Sequence, residues 1–138
     1  MKIMVSACLL GENCKYNGQN NYSEKLATFL KDHTVIPVCP EVFGGLPIPR
    51  SSCEIVNNEV LSKDGKSFTN EYLKGANMAL DIARKEKVDL MILQSRSPSC
   101  GVNQIYDGTF SGNKIKGHGI FANLAINEGY KVMDIEDL

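Results

Sequence analysis

The chain has 138 residues, of which 43% are hydrophobic and 22% are charged, and its net charge is −1. This length and composition predict one globular domain, residues 1–138, with a single core. The nearly balanced charge excludes the basic field that general nucleic-acid binding needs, and no apolar run approaches the length of a membrane span. The first residues lack the pattern of a signal peptide. We therefore expect a cytoplasmic protein with no nucleic-acid polymer and no membrane as partner.

The first part of the chain predicts a strand, a loop, a short helix and a second strand. Residues 2–7 form an apolar run typical of a strand, and residues 11–18 are full of turn formers. Ser23 is placed to cap a helix, and helical spacing puts three apolar residues on one face of it. They are Leu26, Phe29 and Leu30. The β-branched run 34–38 predicts the second strand, where Pro37 argues against a fully bonded central position.

A long irregular segment and a longer helix come next. The segment from 40 to about 70 is rich in Gly, Pro and Ser, and its length is typical of a functional loop. Inside it, two short apolar runs flank Asn57-Asn58, which predicts a small hairpin. Thr69 is placed to cap a helix that continues to about Lys87 with one buried face. That face consists of Tyr72, Leu73, Ala76, Ala79, Leu80 and Ala83.

The last part of the chain predicts two strands, a glycine-rich loop and a helix. Residues 88–94 are apolar enough for a strand that is buried on both faces. After the loop 95–119, a helix covers about 120–128, Gly129 is well placed to end it, and residues 131–135 form the last strand. The whole order predicts a three-layer α/β domain. It has a mainly parallel sheet, helices on both faces and a small β-hairpin insert.

Three of the five cysteines follow predicted strands. Cys8 and Cys39 end apolar runs, and Cys100 follows the third run after a short polar link. In a parallel sheet these positions meet at the carboxyl edge, where α/β proteins bind ligands. Converging thiolates suit zinc or an iron–sulfur cluster, and three of them leave one coordination position free for chemistry. The odd number of cysteines and the missing export signal argue against a full set of disulfides.

Two charged residues near these cysteines are candidates for chemistry. Glu41 follows Cys39 by two residues, so it is the leading candidate for proton transfer, with a solvated loop carboxylate as the plainer alternative. Arg50 ends a stretch rich in glycine and proline, where its planar fork suits a substrate carbonyl or an anion. The alternative for Arg50 is a structural salt bridge, for example to Glu54.

Two glycine- and serine-rich turns complete the candidate site. Ser97 and Ser99 lie beside Cys100, where their hydroxyls suit cluster sulfur or the edge of a heterocycle. Turn formation explains the same serines without a ligand. Gly-His-Gly at residues 117–119 precedes a predicted helix, so its N–H groups are weak candidates for binding an anion. The full phosphate-loop pattern is missing.

Six motifs occur together in this chain. They are Ser-Ala-Cys-Leu-Leu-Gly at 6–11, Val-Cys-Pro-Glu at 38–41, Gly-Leu-Pro-Ile-Pro-Arg at 45–50, Ser-Pro-Ser-Cys-Gly at 97–101, Tyr-Asp-Gly at 106–108 and Gly-His-Gly at 117–119. With these motifs in this order, the chain resembles the thiouracil desulfidase family over nearly its whole length. One departure is Lys-Tyr-Asn-Gly at 15–18, where the family has Arg-Tyr-Asp-Gly, with Cys14 just before it.

The resemblance implies a [4Fe–4S] enzyme that removes sulfur from thiouracil-like bases. By motif, the three cysteines that hold the cluster in the family map onto Cys8, Cys39 and Cys100. The pattern Pro-Arg-x-x-x-Glu puts a non-ligand residue at Cys53. Our hypothesis is hydrolytic cleavage of the C=S bond: water, assisted by Glu41, attacks the carbon, and hydrosulfide leaves.

The remaining roles and the alternatives follow from the same hypothesis. We assign Ser99 to catalysis beside Glu41, and Arg50 and Ser97 to binding of the substrate. A non-catalytic zinc-binding or thiol redox-sensing module is the alternative, and a fourth ligand such as Cys14 or Cys53 would favour it. A small-molecule binding domain with buried thiols is a third reading. The sequence leaves the physiological substrate and the oligomeric state open.

Overall fold

The structure is a computed structural model that describes all 138 residues. Its strands are β1 (Lys2–Ser6), β2 (Thr34–Val38), β3 (Cys53–Val56), β4 (Glu59–Ser62), β5 (Leu90–Leu93), β6 (Gln104–Tyr106), β7 (Lys114–Lys116) and β8 (Val132–Asp134). Its α-helices are α1 (Glu24–Phe29), α2 (Pro40–Phe43), α3 (Thr69–Glu86) and α4 (Ile120–Asn127). Short 3₁₀ helices cover Ala7–Leu10 and Ile135–Asp137. No helix combines the length and the apolar character that crossing a membrane demands.

Four strands form the central parallel sheet in the order β2-β1-β5-β8. β2 lies at an edge and contains Pro37, which confirms that this proline does not occupy a central strand. β5 lies inside the sheet, and Met91, Ile92 and Leu93 are fully buried. A strand that is covered on both faces needs this continuous apolar run. The predicted mainly parallel α/β sheet is therefore confirmed.

Helices cover both faces of the sheet, as predicted. On one face, Met4 and Met91 belong to a buried cluster with the small residues of α3 and with Phe121 of α4. On the other face, Ile3 and Ile92 pack with Leu26 of α1 and its neighbour Leu30. Alternating side chains of one strand thus contribute to two cores, which gives the three layers.

One predicted helix cap is confirmed, and three details of the helices differ from the predictions. Ser23 does cap α1, because its Oγ accepts a hydrogen bond from the Leu26 N–H at 3.1 Å. Phe29 and Leu73, however, are 37% and 39% exposed, so each lies outside the buried face assigned to it. Thr69 does not cap α3, since its Oγ1 accepts from the Val60 N–H at 2.9 Å and thereby joins α3 to the hairpin.

The predicted hairpin is present, whereas two other small elements were not predicted. β3 and β4 pair antiparallel around Asn57 and Asn58, both with positive φ, as a tight two-residue turn requires. The four-residue helix α2 was predicted as irregular chain. The hairpin β6–β7 lies inside the predicted loop 95–119. The three residues of β7 are all exposed, so this strand lacks the apolar alternation that identifies a strand.

Helix α2 rests directly on α3 at two glycines. A Cβ added at Gly75 would lie 1.6 Å from the Pro40 carbonyl oxygen, and one added at Gly44 would lie 1.9 Å from the Glu71 carbonyl oxygen. Side chains at either position would force the two backbones apart. The close packing of α2 against α3 therefore requires glycine at both positions.

Candidate functional site

A cavity of about 300 Å³ opens at the carboxyl edge of the central sheet, next to the ends of β1, β2 and β5. Its wall includes every cysteine of the chain: Cys8, Cys14, Cys39, Cys53 and Cys100. All five are free thiols. This is the edge at which α/β proteins bind ligands, and the sequence placed three of the five thiols there.

Each of the three predicted ligand cysteines lies just after a strand. Cys8 is in the 3₁₀ helix that follows β1, so the strand ends two residues earlier than its cysteine. Cys39 is the N-terminal cap residue of α2, directly after β2. Cys100 belongs to the turn that follows β5, where its backbone N–H donates to Ser97 Oγ at 3.0 Å. The strand order β2-β1-β5 brings the three turns side by side.

Cys14 and Cys53 are buried cavity residues, which the sequence did not reveal. Cys14 is 7% exposed and packs in the same buried cluster as Cys8, with Cys39 against it. Cys53 is 6% exposed, and its Sγ donates to the Ser51 carbonyl at 3.7 Å. Their polar sequence neighbours hide this burial, since neither cysteine follows an apolar run.

Four of the thiols have a raised pKa. For Cys14, the hydrogen bond with Cys39 lowers the pKa, but the bond with Cys8 and burial raise it more, to about 11. The hydrogen bond with Cys14, followed by burial, raises the pKa of Cys39. Burial raises the pKa of Cys53, and it raises that of Cys100 to about 12. These thiols are therefore protonated near neutral pH, and a metal that binds them must displace their protons.

Glu41 lies in the first turn of α2 with both carboxylate oxygens bonded. Oε1 accepts from Arg50 Nε at 3.0 Å, whereas Oε2 accepts from Ser99 Oγ at 2.7 Å and from Ser97 Oγ at 3.4 Å. The Glu41 side chain is 13% exposed, so it is not a solvated loop carboxylate. The serine hydroxyl also reaches the predicted ligand Cys100, because Ser99 Oγ lies 3.7 Å from Cys100 Sγ.

The guanidinium of Arg50 is engaged by the protein itself. Besides Glu41, it donates to the Cys14 carbonyl at 2.8 Å and to the Pro47 carbonyl at 3.3 Å. Its side chain is only 5% exposed. The salt bridge thus forms with Glu41 and not with Glu54, the partner suggested by sequence proximity. A direct bond from Arg50 to a substrate stays a prediction.

Glu54 binds backbone N–H groups of another loop, which the sequence did not indicate. Its carboxylate accepts hydrogen bonds from the N–H groups of Gly108 at 2.9 Å and Phe110 at 3.1 Å. It thereby ties the hairpin β3–β4 to the loop after β6. That loop follows Tyr106, which lines the cavity. Glu54 therefore anchors part of the chain beside the cavity opening.

The serine turn and the Gly-His-Gly motif form one structural unit. The first N–H groups of α4 donate to the carbonyls of Pro98 and Ser99 at 2.8 Å and 2.9 Å, and the Gly119 N–H donates to Gly101. A Cβ at Gly119 would lie 2.5 Å from the Ser99 backbone. These N–H groups therefore have protein partners and do not bind an anion. The His118 ring bonds to the Val102 carbonyl, so it is a structural residue.

Tyr72 of α3 also reaches the cavity, although its helical spacing indicated only a core residue. It is 1% exposed, and it lines the cavity together with Glu41 and Cys53. Burial, followed by the nearby Glu41 charge, raises the pKa of the Tyr72 phenol. The hydroxyl therefore stays protonated and is available as a hydrogen-bond donor.

The thiols surround the cavity instead of converging on one point. No group of three His, Cys, Asp or Glu side chains is close enough to hold a single metal ion. A cluster of four irons is wider than one ion, and its cysteine ligands stand correspondingly farther apart. Fold and site together define an α/β protein with a thiol-lined cavity beside a hydrogen-bonded carboxylate.

Comparison with known proteins identifies the family. The family model described as 2-thiouracil desulfurase matches residues 3–137, and the chain belongs to this family. It is 36% identical over 146 residues to the Bacillus subtilis (strain 168) protein named "Uncharacterized protein YbbK", covering 99% of this chain and 97% of the relative. A solved structure of the [4Fe-4S]-dependent thiouracil desulfidase TudS superposes with a TM-score of 0.93 at 36% identity, covering 99% of this chain and 92% of TudS.

Proposed function

We propose that this protein is a [4Fe–4S]-dependent desulfidase that replaces the sulfur of thiouracil-like bases by oxygen and releases hydrosulfide. Membership of the 2-thiouracil desulfurase family and the likeness to TudS support this function. The observation that carries it is the arrangement of one cavity. Three thiols follow adjacent parallel strands, and beside them a carboxylate is held by two serines and an arginine.

The donor set fits an iron–sulfur cluster. Cys8, Cys39 and Cys100 would hold it, since thiolates are the ligands that such clusters require, and these three lie on separate turns around the cavity. When bound, the cluster supplies an iron that accepts the sulfur of the substrate and polarises its C=S bond.

The protein itself supplies the proton transfers. Arg50, Ser97 and Ser99 fix the orientation of the Glu41 carboxylate, which takes a proton from the water that adds to the thiocarbonyl carbon. Ser99 Oγ contacts both Glu41 Oε2 and Cys100 Sγ, so it is placed to pass this proton toward the departing sulfur. Water supplies the new oxygen; one of its protons leaves with the sulfur as hydrosulfide and the other is released to solvent, so no electrons are gained or lost.

The cavity favours a small substrate. Its volume of about 300 Å³ is at the lower end of the range for ligand pockets, which supports a single-ring base as the partner. Ser97 and Arg50 are the proposed contacts for the polar groups of that ring. The unpaired state of all five cysteines supports a cytoplasmic location. The whole chain, residues 1–138, acts as one domain in this proposal.

Anaerobic reconstitution tests the function directly. We expect iron and sulfide in a ratio typical of a [4Fe–4S] cluster, and conversion of thiouracil to uracil with one hydrosulfide per base. The Glu41→Gln variant, which keeps the three ligand cysteines, is the matched control and should load normally but turn over slowly. Fully loaded wild-type protein that converts no thiolated uracil would overturn the proposal.

A further inference from the structure

Cys14 is the one buried thiol of the cavity that lies against a proposed ligand cysteine without being a ligand itself. Its side chain belongs to a buried cluster against which Cys39 packs. The Cys39 Sγ also lies 3.9 Å from the Cys14 carbonyl oxygen. Both cysteines line the same cavity. Two neighbouring thiols on separate loops are the prerequisite for a disulfide.

The backbone around Cys14 is held in place from two sides. Its carbonyl accepts a hydrogen bond from Arg50 at 2.8 Å, and its N–H donates to the Glu12 carbonyl at 2.9 Å. The Arg50 N–H bonds to the Tyr16 carbonyl at 2.8 Å, which fixes the same loop again. Cys14 is thus presented to Cys39 by a bonded framework, and the contact does not depend on a mobile loop.

We propose that Cys14 and Cys39 form a reversible disulfide in the chain before the cluster is assembled. Glutathione disulfide is the oxidant: its S–S bond breaks, the S–S bond between Cys14 and Cys39 forms, and the two protein thiols transfer two electrons and two protons to yield two glutathione molecules. A thiol reductant reverses the exchange. Transient disulfides of this kind are the type found in reducing compartments.

The other thiols have different neighbours. Cys53 Sγ donates to the Ser51 carbonyl, and Cys100 Sγ lies beside Ser99. Cys8 packs in the same cluster as Cys14, but Cys39 Sγ directly contacts the Cys14 carbonyl, which favours Cys39 as the partner. The pair is therefore Cys14 with Cys39.

The consequence for the enzyme rests on the proposed function. A disulfide at Cys39 removes one cluster ligand and at the same time protects that sulfur from oxidation to sulfinic acid, which is irreversible for most proteins. The oxidised chain therefore binds a cluster only after the disulfide has been reduced.

Thiol mapping of the full-length, cluster-free chain tests the proposal. The chain is incubated with glutathione disulfide at alkaline pH, because exchange needs a thiolate and these thiols are protonated near neutral pH. It is then alkylated and analysed by intact mass and peptide mapping. We expect the loss of two of the five free thiols and one linked pair, Cys14 with Cys39. Cys53→Ser, which removes another cavity thiol, should keep the linked pair. Cys14→Ser should instead show Cys39 bound to glutathione.

Each outcome decides a specific point. Retention of all five free thiols in the wild type, or linkage of Cys14 to Cys8, overturns the proposal, and neither result depends on whether a variant folds. Oxidised wild type should take up no iron until dithiothreitol is added, whereas Cys14→Ser, freed of glutathione by the same reductant, serves as the loading reference. Disulfide formation in a chain that never binds a cluster would overturn the proposed function and leave the disulfide standing. An active, cluster-loaded enzyme whose cluster-free chain forms no disulfide would overturn the disulfide proposal and leave the proposed function standing.

Discussion

The sheet edge and the insert build the cavity in different ways. At the sheet edge, Cys8, Cys39 and Cys100 follow strands whose positions are set by two buried apolar cores. In the insert, residues 44–68, Arg50 and Glu54 are held by hydrogen bonds to distant chain segments. The sheet edge thus carries the proposed ligands, whereas the insert orients the carboxylate and anchors a neighbouring loop. Substitutions in the two regions should therefore have separable effects.

The largest effect is expected at the sheet edge. Cys8→Ala, Cys39→Ala and Cys100→Ala should each reduce bound iron and sulfide, and with them desulfidase activity, to background, because each removes a thiolate ligand. Iron and sulfide analysis with the visible absorption spectrum measures this. Cys53→Ala in the insert is the matched control and should keep the cluster. Loss of iron in Cys53→Ala, together with retention of iron in Cys39→Ala, would make Cys53 the ligand in place of Cys39.

Glu41 connects the two regions, and its substitution should lower the rate without removing the cluster. Glu41→Gln keeps the shape of the side chain but removes the proton acceptor, so we expect kcat to fall by ~10²–10⁴-fold. Iron content should stay at the wild-type level. Glu59→Gln, an exposed residue in the hairpin, is the control. A Glu41→Gln enzyme with wild-type kcat would remove the carboxylate from the reaction.

Arg50 should matter for stability as well as rate. Arg50→Gln leaves the buried Glu41 charge without its cation, and we expect the free energy of unfolding to fall by about 3 kcal/mol. Urea denaturation measures this. Arg84→Ala, which breaks an exposed ion pair with Glu128, should change stability very little. Equal losses in the two variants would mean that burial of the Arg50 pair has no energetic consequence.

The anchoring role of Glu54 predicts a smaller, local effect. Glu54→Gln weakens two hydrogen bonds to the N–H groups of Gly108 and Phe110, and we expect a loss of about 1 kcal/mol. Hydrogen exchange of these two amides should become faster, whereas exchange in β5 should stay unchanged. Uniform acceleration across the sheet would contradict a local anchor.

The smallest effect is expected at Asp134, the last residue of β8, which pairs with Leu93 of β5. Burial raises the pKa of this carboxyl, so the folded state disfavours its charged form. Wild-type stability is therefore lost as pH rises from the ordinary carboxyl range through the raised pKa. Asp134→Asn, which can still accept from the Glu136 N–H, should be more stable than wild type near neutral pH and equal to it below about pH 4. Melting curves across pH measure this difference, and an advantage that grows toward acid pH would be the wrong sign.

The sheet and its ligand turns could be predicted because their signals are local. Apolar runs identified the four parallel strands, and Asn57-Asn58 identified the hairpin turn. The positions of Cys8, Cys39 and Cys100 followed from the rule that parallel strands share one carboxyl edge. The cluster itself and the three-ligand set came from the family resemblance and not from spacing.

The insert side of the cavity could not be predicted because its contacts join residues far apart in the chain. The burial of Cys14 depends on Arg50, and the contacts of Glu54 depend on a loop more than 50 residues away. The hydroxyl of Tyr72 shares a helix face with core alanines, so periodicity cannot distinguish a cavity residue from a core residue. Periodicity also fails in the opposite direction. Phe29 and Leu73 have helical spacing typical of a buried face, yet both side chains are exposed.

The glycine contacts of α2 have a consequence for motion. Cys39 and Glu41 occupy the same short helical turn, and this turn is seated on the α3 backbone at Gly44 and Gly75. A displacement of α3 would therefore carry the proposed ligand Cys39 and the proposed proton acceptor Glu41 together. Local packing thereby keeps the spacing between these two residues constant.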